Sequence, residues 1–196
     1  MVSMFATNCY LLWEDDQVLI IDPGGKGKKL IEHIEQAGGK VVAVCCTHGH
    51  LDHIASIDQL CLHFHCPLWI SEFDARMLQD PRLNLSQTFD GKPLTVQTKP
   101  HFYEKELCLG PFKGECVDTP GHTPGSVCLI FDDVMFSGDT LFKGSIGRTD
   151  FILGSNTQMM QSLRLLKNYS LDLKVYPGHG EATTLQEEFL SNPYLN

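Results

Sequence analysis

The sequence predicts a mixed α/β domain, and three observations support this class. Short apolar segments of strand character alternate with segments whose apolar residues recur at helical spacing. The run at 41–46 (VVAVCC) is continuously apolar and contains β-branched residues, which is typical of a strand buried on both faces. No linker or low-complexity segment interrupts the alternation. We therefore expect one domain over residues 1–196.

In the first half of the chain, strands are predicted at 9–13 and 18–21, on either side of a polar turn. Apolar residues recur at i, i+4 and i+7 from Leu30 and predict a helix that ends at Gly38. After the buried strand, a helix is predicted near 54–61 and a short strand at 68–70, whereas the pattern of 80–105 favours no particular element.

In the second half, patterning predicts three strands, a helix, a fourth strand and a closing helix. They fall at 112–117, 127–131, 134–136, 156–167, 173–176 and 185–190. A hairpin turn is expected at Asp132-Asp133, between the second and third of these strands.

Charge and composition exclude several classes of protein. The 24 acidic and 15 basic residues give a net charge of −9, so the basic footprint of a nucleic-acid-binding protein is absent. No apolar stretch approaches the roughly 20 residues that span a bilayer, so no membrane partner is expected. Eight cysteines without Cys-x-x-Cys spacing, and an N-terminus without signal-peptide features, favour reduced thiols and a cytoplasmic location.

Residues 47–53 (THGHLDH) place four potential metal ligands directly after the buried strand. His48 and His50 point the same way in an extended segment, while Asp52 and His53 come where the chain turns into the next helix. Imidazole and carboxylate are suitable ligands for zinc, iron and manganese. A lone His-x-His here would indicate a polar loop, but four donors together predict a metal site.

Three later segments add one donor each, and each follows a predicted strand. They are His122 in TPGHTPGS (119–126), Asp139 in FSGDT (136–140) and His179 in YPGHG (176–180). Any one of them is compatible with an ordinary turn. Loops at one edge of a sheet can converge, however, so the joint occurrence indicates one shared site.

These segments resemble the five motifs of the metallo-β-lactamase superfamily over essentially the whole chain. The resemblance implies a four-layer αββα sandwich with its site at one edge of two facing sheets. It also implies two divalent metal ions, zinc in the first place, with iron or manganese as alternatives. The implied ligand sets are His48, His50 and His122 for one metal, Asp52, His53 and His179 for the second, and Asp139 as a bridge.

Within the superfamily, the segments 138–142 and 144–151 resemble the glyoxalase II group, closest to its small single-domain bacterial branch. This implies hydrolysis of a small-molecule thioester, S-lactoylglutathione or a related hydroxyacyl thioester. A hydroxide shared by the two metals would attack the carbonyl, because metals lower the pKa of bound water from about 15.7 to about 7. Asp52 would be the catalytic residue that ligates and orients this hydroxide.

The chain departs from full-length glyoxalase II in its substrate-binding parts. It shows no C-terminal helical domain for glutathione, and the positions of a glutathione-contacting Lys and Tyr correspond here to Arg148 and Asp150. Arg148 can bind a carboxylate and is the candidate substrate-binding residue; alternatively it forms a structural ion pair with Asp150. β-Lactamases with a Cys ligand carry it at the position of Asp139 and have no ligand at that of His53, which argues against antibiotic hydrolysis.

Two other functions remain open. The segment 147–151 also resembles the persulfide dioxygenases, in which one iron would be held by two histidines and a carboxylate. Here these would be His48, His122 and Asp139. The Pro-Gly-His-Gly at 177–180, where dioxygenases tend to have Pro-Ala-His-Asp, favours the hydrolase. A non-catalytic binding module is disfavoured because all seven ligands are intact. The sequence specifies no protein partner.

Overall fold

The computed structural model describes residues 6–89 and 91–195, and its elements alternate much as the sequence predicts. The strands are β1 Tyr10–Glu14, β2 Gln17–Ile21, β3 Lys40–Cys45, β4 Leu68–Ile70, β5 Pro100–Phe102, β6 Glu106–Leu109, β7 Phe112–Asp118, β8 Val127–Phe131, β9 Val134–Gly138, β10 Leu141–Phe142, β11 Ser145–Ile146, β12 Lys174–Pro177 and β13 Thr183–Thr184. The helices are α1 Gly27–Gln36, α2 Leu51–Ile54, α3 Ile57–Phe64, α4 Ser86–Phe89, α5 Asn156–Leu166 and α6 Leu185–Ser191, with a 3₁₀ helix at Glu72–Leu78.

The strands form two large sheets and one small hairpin. The first sheet has the order β1-β2-β3-β4-β5, and all its neighbours after the antiparallel β1–β2 pair are parallel. The second has the order β13-β12-β9-β8-β7-β6, and only its β12–β9 pair is parallel. Strands β10 and β11 pair separately just after β9.

Side chains of β2 alternate between the two faces of the first sheet, and those on each face pack in a different apolar cluster. Val18 and Ile20 belong to an apolar cluster that also contains Ile34 of α1 and Leu60 of α3. Leu19 and the other inward residues of β2 and β3 belong to a second cluster, shared with strands of the opposite sheet. Both faces of these strands are therefore buried, as their continuous apolar sequences predict.

A third apolar cluster lies on the outer face of the second sheet. There Cys128 and Met135 pack with Met159 and Leu163 of α5 and with Leu185 of α6. The order of layers is thus helix, sheet, sheet, helix, and the four-layer αββα sandwich is confirmed.

The predicted elements are present to within one or two residues at most ends, and the patterning missed mainly short ones. The segment 80–105 contains the four-residue α4 and the three-residue β5, and β10, β11 and β13 have two residues each. Such lengths are too short for a periodicity to be read. The helix predicted near 54–61 is divided into α2 and α3. Among the residues described, no helix is long and apolar enough to cross a membrane.

Candidate metal centre

The loops that follow β3, β7, β9 and β12 bring all seven predicted ligands into one cluster. Within the described residues, three overlapping groups have one ligand atom per residue within 4.8 Å of one another. They are His48–His50–His122, His48–His53–Asp139 and Asp52–His53–His179. Asp52 and His53 lie in the first turn of α2, immediately after the extended residue His50.

The three histidines of the first group face one another edge to face. Nδ1 of His50 lies 2.9 Å from Nε2 of His122, and the His48 ring lies within 5 Å of both rings. Nδ1 of His122 is 2.7 Å from the carbonyl oxygen of Arg148, to which it donates as the N–H tautomer. Nε2 of His122 is thereby left with a lone pair that faces the cluster, which a metal ligand requires.

Asp139 lies between the two ends of the cluster. Its Oδ1 is 3.4 Å from Nε2 of His53, and its Oδ2 is 3.4 Å from Nε2 of His122 and 3.5 Å from Nε2 of His179. Asp52 is nearer to one end, with Oδ2 3.3 Å from Nε2 of His179 and accepting a hydrogen bond of 2.7 Å from Oγ1 of Thr7. The Asp139 carboxylate therefore contacts members of both outer groups.

Asp22 lies beside the donor cluster and is a candidate site residue that the motif analysis missed. It is buried at the end of β2 and accepts two hydrogen bonds of 2.7 Å from Thr47, one from the backbone N–H and one from Oγ1. Its Oδ2 also lies 3.0 Å from Nδ1 of His53. A carboxylate on one ring nitrogen orients the other toward a metal. The available signal was an acid immediately after a buried strand, in a segment (Asp-Pro-Gly-Gly) that resembles an ordinary turn.

Gly178 shows why the last donor segment reads Pro-Gly-His. A Cβ at this position would lie 2.2 Å from Oδ1 of Asp139 and 2.7 Å from Cε1 of His53. Only a residue without a side chain lets the β12 loop approach the cluster so closely.

Several buried donor atoms in the cluster fit a bound metal. Within residues 6–89 and 91–195, Nε2 of His48, Nε2 of His50, both ring nitrogens of His53 and Oδ1 of Asp139 are inaccessible to solvent and make no well-formed hydrogen bond, although Nδ1 of His53 lies 3.0 Å from Oδ2 of Asp22. Native proteins rarely bury such atoms without a partner. Such atoms in the cluster, among them Nε2 of His48, Nε2 of His53 and Oδ1 of Asp139 where the groups meet, are therefore evidence for a ligand that accepts lone pairs.

Comparison with known proteins identifies the family of the chain. The family model described as the metallo-beta-lactamase superfamily matches residues 3–179. The chain belongs to the metallo-β-lactamase superfamily.

Two curated members of the superfamily match the whole chain and 95% of their own length. The probable metallo-hydrolase YqgX of Bacillus subtilis is 38% identical, and the hydroxyacylglutathione hydrolase GloC of Haemophilus influenzae is 37% identical. Among solved structures, the BLEG-1 B3 metallo-beta-lactamase is 36% identical, with a TM-score of 0.92 over 99% of this chain and 96% of the other. TTHA1623 in a di-iron-bound form is 28% identical, with a TM-score of 0.87 over 99% and 98% of the two chains.

The charge balance of this superfamily site favours cations. Burial lowers the pKa of His48 well below its usual value and that of His50 to about 3, so both rings are neutral. Burial also acts to lower the pKa of His179, but Asp139 and Asp52 outweigh it and raise that pKa to about 9. Against burial, His53 and His179 hold the pKa of Asp139 well below its usual range. The carboxylates are thus ionised in a buried cluster, and positive charge stabilises them.

The donor cluster forms one wall of a pocket of about 300 Å³. The lining residues are His50, Leu51, Asp52, Leu85, Phe89, His122, Asp139, Phe142, Arg148, Phe151 and His179. Much of the lining is apolar, and it includes the exposed Arg148, which donates two hydrogen bonds of 2.7 and 2.9 Å to Asp150. The guanidinium also lies over the Phe151 ring, 4.2 Å from its centroid. Arg148 is therefore at the pocket, as predicted, and is engaged in an ion pair.

Proposed function

We propose that this protein hydrolyses small-molecule thioesters, with S-lactoylglutathione or a related hydroxyacyl thioester as its substrate. The observation that carries the proposal is the position of Asp139, between two groups of donors at the wall of a pocket large enough for a small molecule. The 37% identity to a hydroxyacylglutathione hydrolase supports the choice of substrate. The acidic chain favours a small-molecule partner over nucleic acid.

Two divalent ions, zinc in the first place and iron or manganese as alternatives, fit the donors of this site. His48, His50 and His122 would hold one ion, Asp52, His53 and His179 the other, and Asp139 would contact both. When bound, such ions activate water at neutral pH and polarise a carbonyl group.

The residues of the chain prepare this chemistry in several ways. Asp22 and the Arg148 carbonyl oxygen hold His53 and His122 with Nε2 facing the cluster. Asp52, which accepts a hydrogen bond from the Thr7 hydroxyl, lines the pocket and is the proposed catalytic residue that orients the attacking water. The leaving thiol has a pKa of roughly 8.5, so it departs as thiolate without a dedicated general acid.

Arg148 is proposed to bind a carboxylate of the substrate. Its present partner, Asp150, is exposed, as is Arg148 itself, and exposed ion pairs contribute little stability. A substrate carboxylate can therefore replace Asp150 at small cost. The test compares wild type and Arg148→Ala on S-lactoylglutathione and on a thioester without carboxylates. We expect a raised KM on the glutathione thioester alone. An equal loss on both substrates would assign Arg148 to loop structure.

The function itself is tested by metal analysis of the purified protein together with a panel of substrates. The proposal predicts about two metal ions per chain and turnover of S-lactoylglutathione. The panel includes a β-lactam, because the BLEG-1 relative is named a metallo-beta-lactamase. Turnover of the β-lactam without turnover of any thioester would overturn the proposal.

A persulfide dioxygenase with a single iron at His48, His122 and Asp139 is the second candidate. Its support is the resemblance at 147–151 and a solved structure of ETHE1 from Myxococcus xanthus, 26% identical with a TM-score of 0.79 over 98% of this chain and 81% of the other. Oxygen consumption with glutathione persulfide, together with one tightly bound iron per chain, would establish this function in place of the hydrolase.

A further inference from the structure

A buried carboxylate outside the donor cluster connects two of its loops. Asp74 lies in the 3₁₀ helix and is fully buried. Its Oδ2 accepts hydrogen bonds from the Gly49 N–H (3.0 Å) and from Oγ1 of Thr123 (2.7 Å), and its Oδ1 accepts one from the Gly125 N–H (2.8 Å). One side chain thus joins the β3 loop to the β7 loop.

The glycines at both ends of this connection are required by the close approach of the 3₁₀ helix. A Cβ on Gly125 would lie 2.7 Å from Cγ of Asp74, and a Cβ on Gly49 would lie 2.7 Å from Cβ of Met77. Real Cβ atoms do not approach other heavy atoms so closely. The glycines of His-Gly-His and Pro-Gly-Ser are therefore required by the packing of the 3₁₀ helix against the two loops.

The two loops that Asp74 joins carry the members of one donor group. Gly49 lies between His48 and His50, and Thr123 directly follows His122. The second group, Asp52–His53–His179, receives none of the hydrogen bonds given for Asp74. Resting on the proposed two-metal function, we propose that Asp74 is a positioning residue that sets the metal affinity of the three-histidine site and leaves the other site unaffected.

The Asp74→Asn variant weakens the connection with little change of shape. An amide has one acceptor oxygen and one donor nitrogen. If its oxygen faces Gly49 and Thr123, its NH₂ meets the Gly125 N–H; if it is flipped, the NH₂ meets the Gly49 N–H. Either way, one backbone N–H loses its acceptor and faces a donor in its place, so the connection between the two loops is weakened.

The experiment titrates Zn²⁺ into the chelator-stripped full chain in competition with a chromophoric chelator. Each site is isolated in its own background: His179→Ala leaves the three-histidine group complete, and His50→Ala leaves Asp52–His53–His179 complete. We expect Asp74→Asn to weaken Zn²⁺ binding about 10–100-fold in the first background, as outer partners of ligands typically do, and to leave it unchanged in the second.

Asp58→Asn is the matched control. Asp58 accepts hydrogen bonds from the backbone N–H groups of Gln97 and Thr98 and so also joins a loop to a helix, but away from the cluster. It should leave both affinities unchanged. If Asp74→Asn does not fold, Thr123→Val takes its place in the experiment. This variant removes one hydrogen bond to Asp74 and should cause a smaller loss of Zn²⁺ affinity, confined to the three-histidine site.

Three results would overturn the proposal: unchanged affinities in Asp74→Asn, equal weakening of both sites, or the same change in Asp58→Asn. A wild-type chain that binds no Zn²⁺ would instead refute the proposed function, so the two failures are distinguishable.

Discussion

Replacing Asp22 by Asn tests whether His53 is a ligand through Nε2. The orientation of the new amide follows from the Thr47 backbone N–H, which is 2.7 Å from Oδ1 of Asp22 and needs an acceptor there. The amide oxygen must occupy that position, and the NH₂ then takes the place of Oδ2, 3.0 Å from Nδ1 of His53. A donor at this point makes Nδ1 the acceptor and places the proton of a neutral ring on Nε2, where it blocks metal binding.

The size of the effect can be estimated from these contacts. Loss of an outer partner costs about 10–100-fold in metal affinity, or roughly 1.4–2.8 kcal/mol. In the metal-free protein, the contact of Thr47 Oγ1 with this position reverses, because the NH₂ that replaces Oδ2 can only donate to the hydroxyl oxygen. A charge-assisted hydrogen bond of about 1.5–3 kcal/mol is thereby replaced by a neutral one of about 0.5–1.5 kcal/mol. We therefore expect a modest loss of stability and a larger relative loss of metal.

The assay pairs Zn²⁺ competition titration with urea denaturation of the metal-free chain, again with Asp58→Asn as the control. If Asp22→Asn retains both wild-type affinities, the tautomer of His53 is not set by Asp22 and the argument from this contact is wrong.

Three further outcomes are expected. Chelation should lower the melting temperature by about 5–10 °C for each site, if the free metal concentration before chelation was about 100 times the Kd. Binding at that concentration adds about 2.7 kcal/mol of stability, and each kcal/mol shifts the melting temperature of a chain of this size by about 2–4 °C. An unchanged calorimetric melting curve would contradict metal-linked folding. Gly178→Ala should lose metal and activity together, because its Cβ would lie 2.2 Å from Oδ1 of Asp139. Normal metal content by atomic absorption would show that the β12 loop can move enough to accommodate the Cβ. Asn192→Ala should lose about 1–3 kcal/mol in urea denaturation, because its buried amide donates to the Ser145 carbonyl and to Glu188, whereas the exposed Asn168→Ala should change little; equal values for the two variants would refute this role.

The fold could be predicted from the sequence at those segments whose residues are compatible with only one environment in a folded protein. The continuous apolar run of β3 requires burial on both faces, and the structure divides its side chains between two apolar clusters. Four donors directly after such a strand indicated a metal site, and the structure brings them together with His122, Asp139 and His179.

Residues that act through long-range contacts were not predictable in the same way. Asp22 and Asp74 lie in segments that resemble an ordinary turn and a polar surface helix. Their importance comes from N–H groups 25 and 51 positions away along the chain, and no local periodicity reports such distances. The pocket residues Leu85 and Phe89 come from the segment 80–105, where the elements are too short to leave a pattern.

The distribution of donors along the chain has a consequence for assembly. Residues 48–53 extend from the first sheet, whereas His122, Asp139 and His179 extend from the second, and every donor group contains members of both sets. Two fragments divided near Gly110, between β6 and β7, would therefore each carry ligands but neither a complete group. A bound metal would then be held by ligands from both fragments. Recovery of metal binding on mixing the fragments would therefore report that the two sheets have packed face to face.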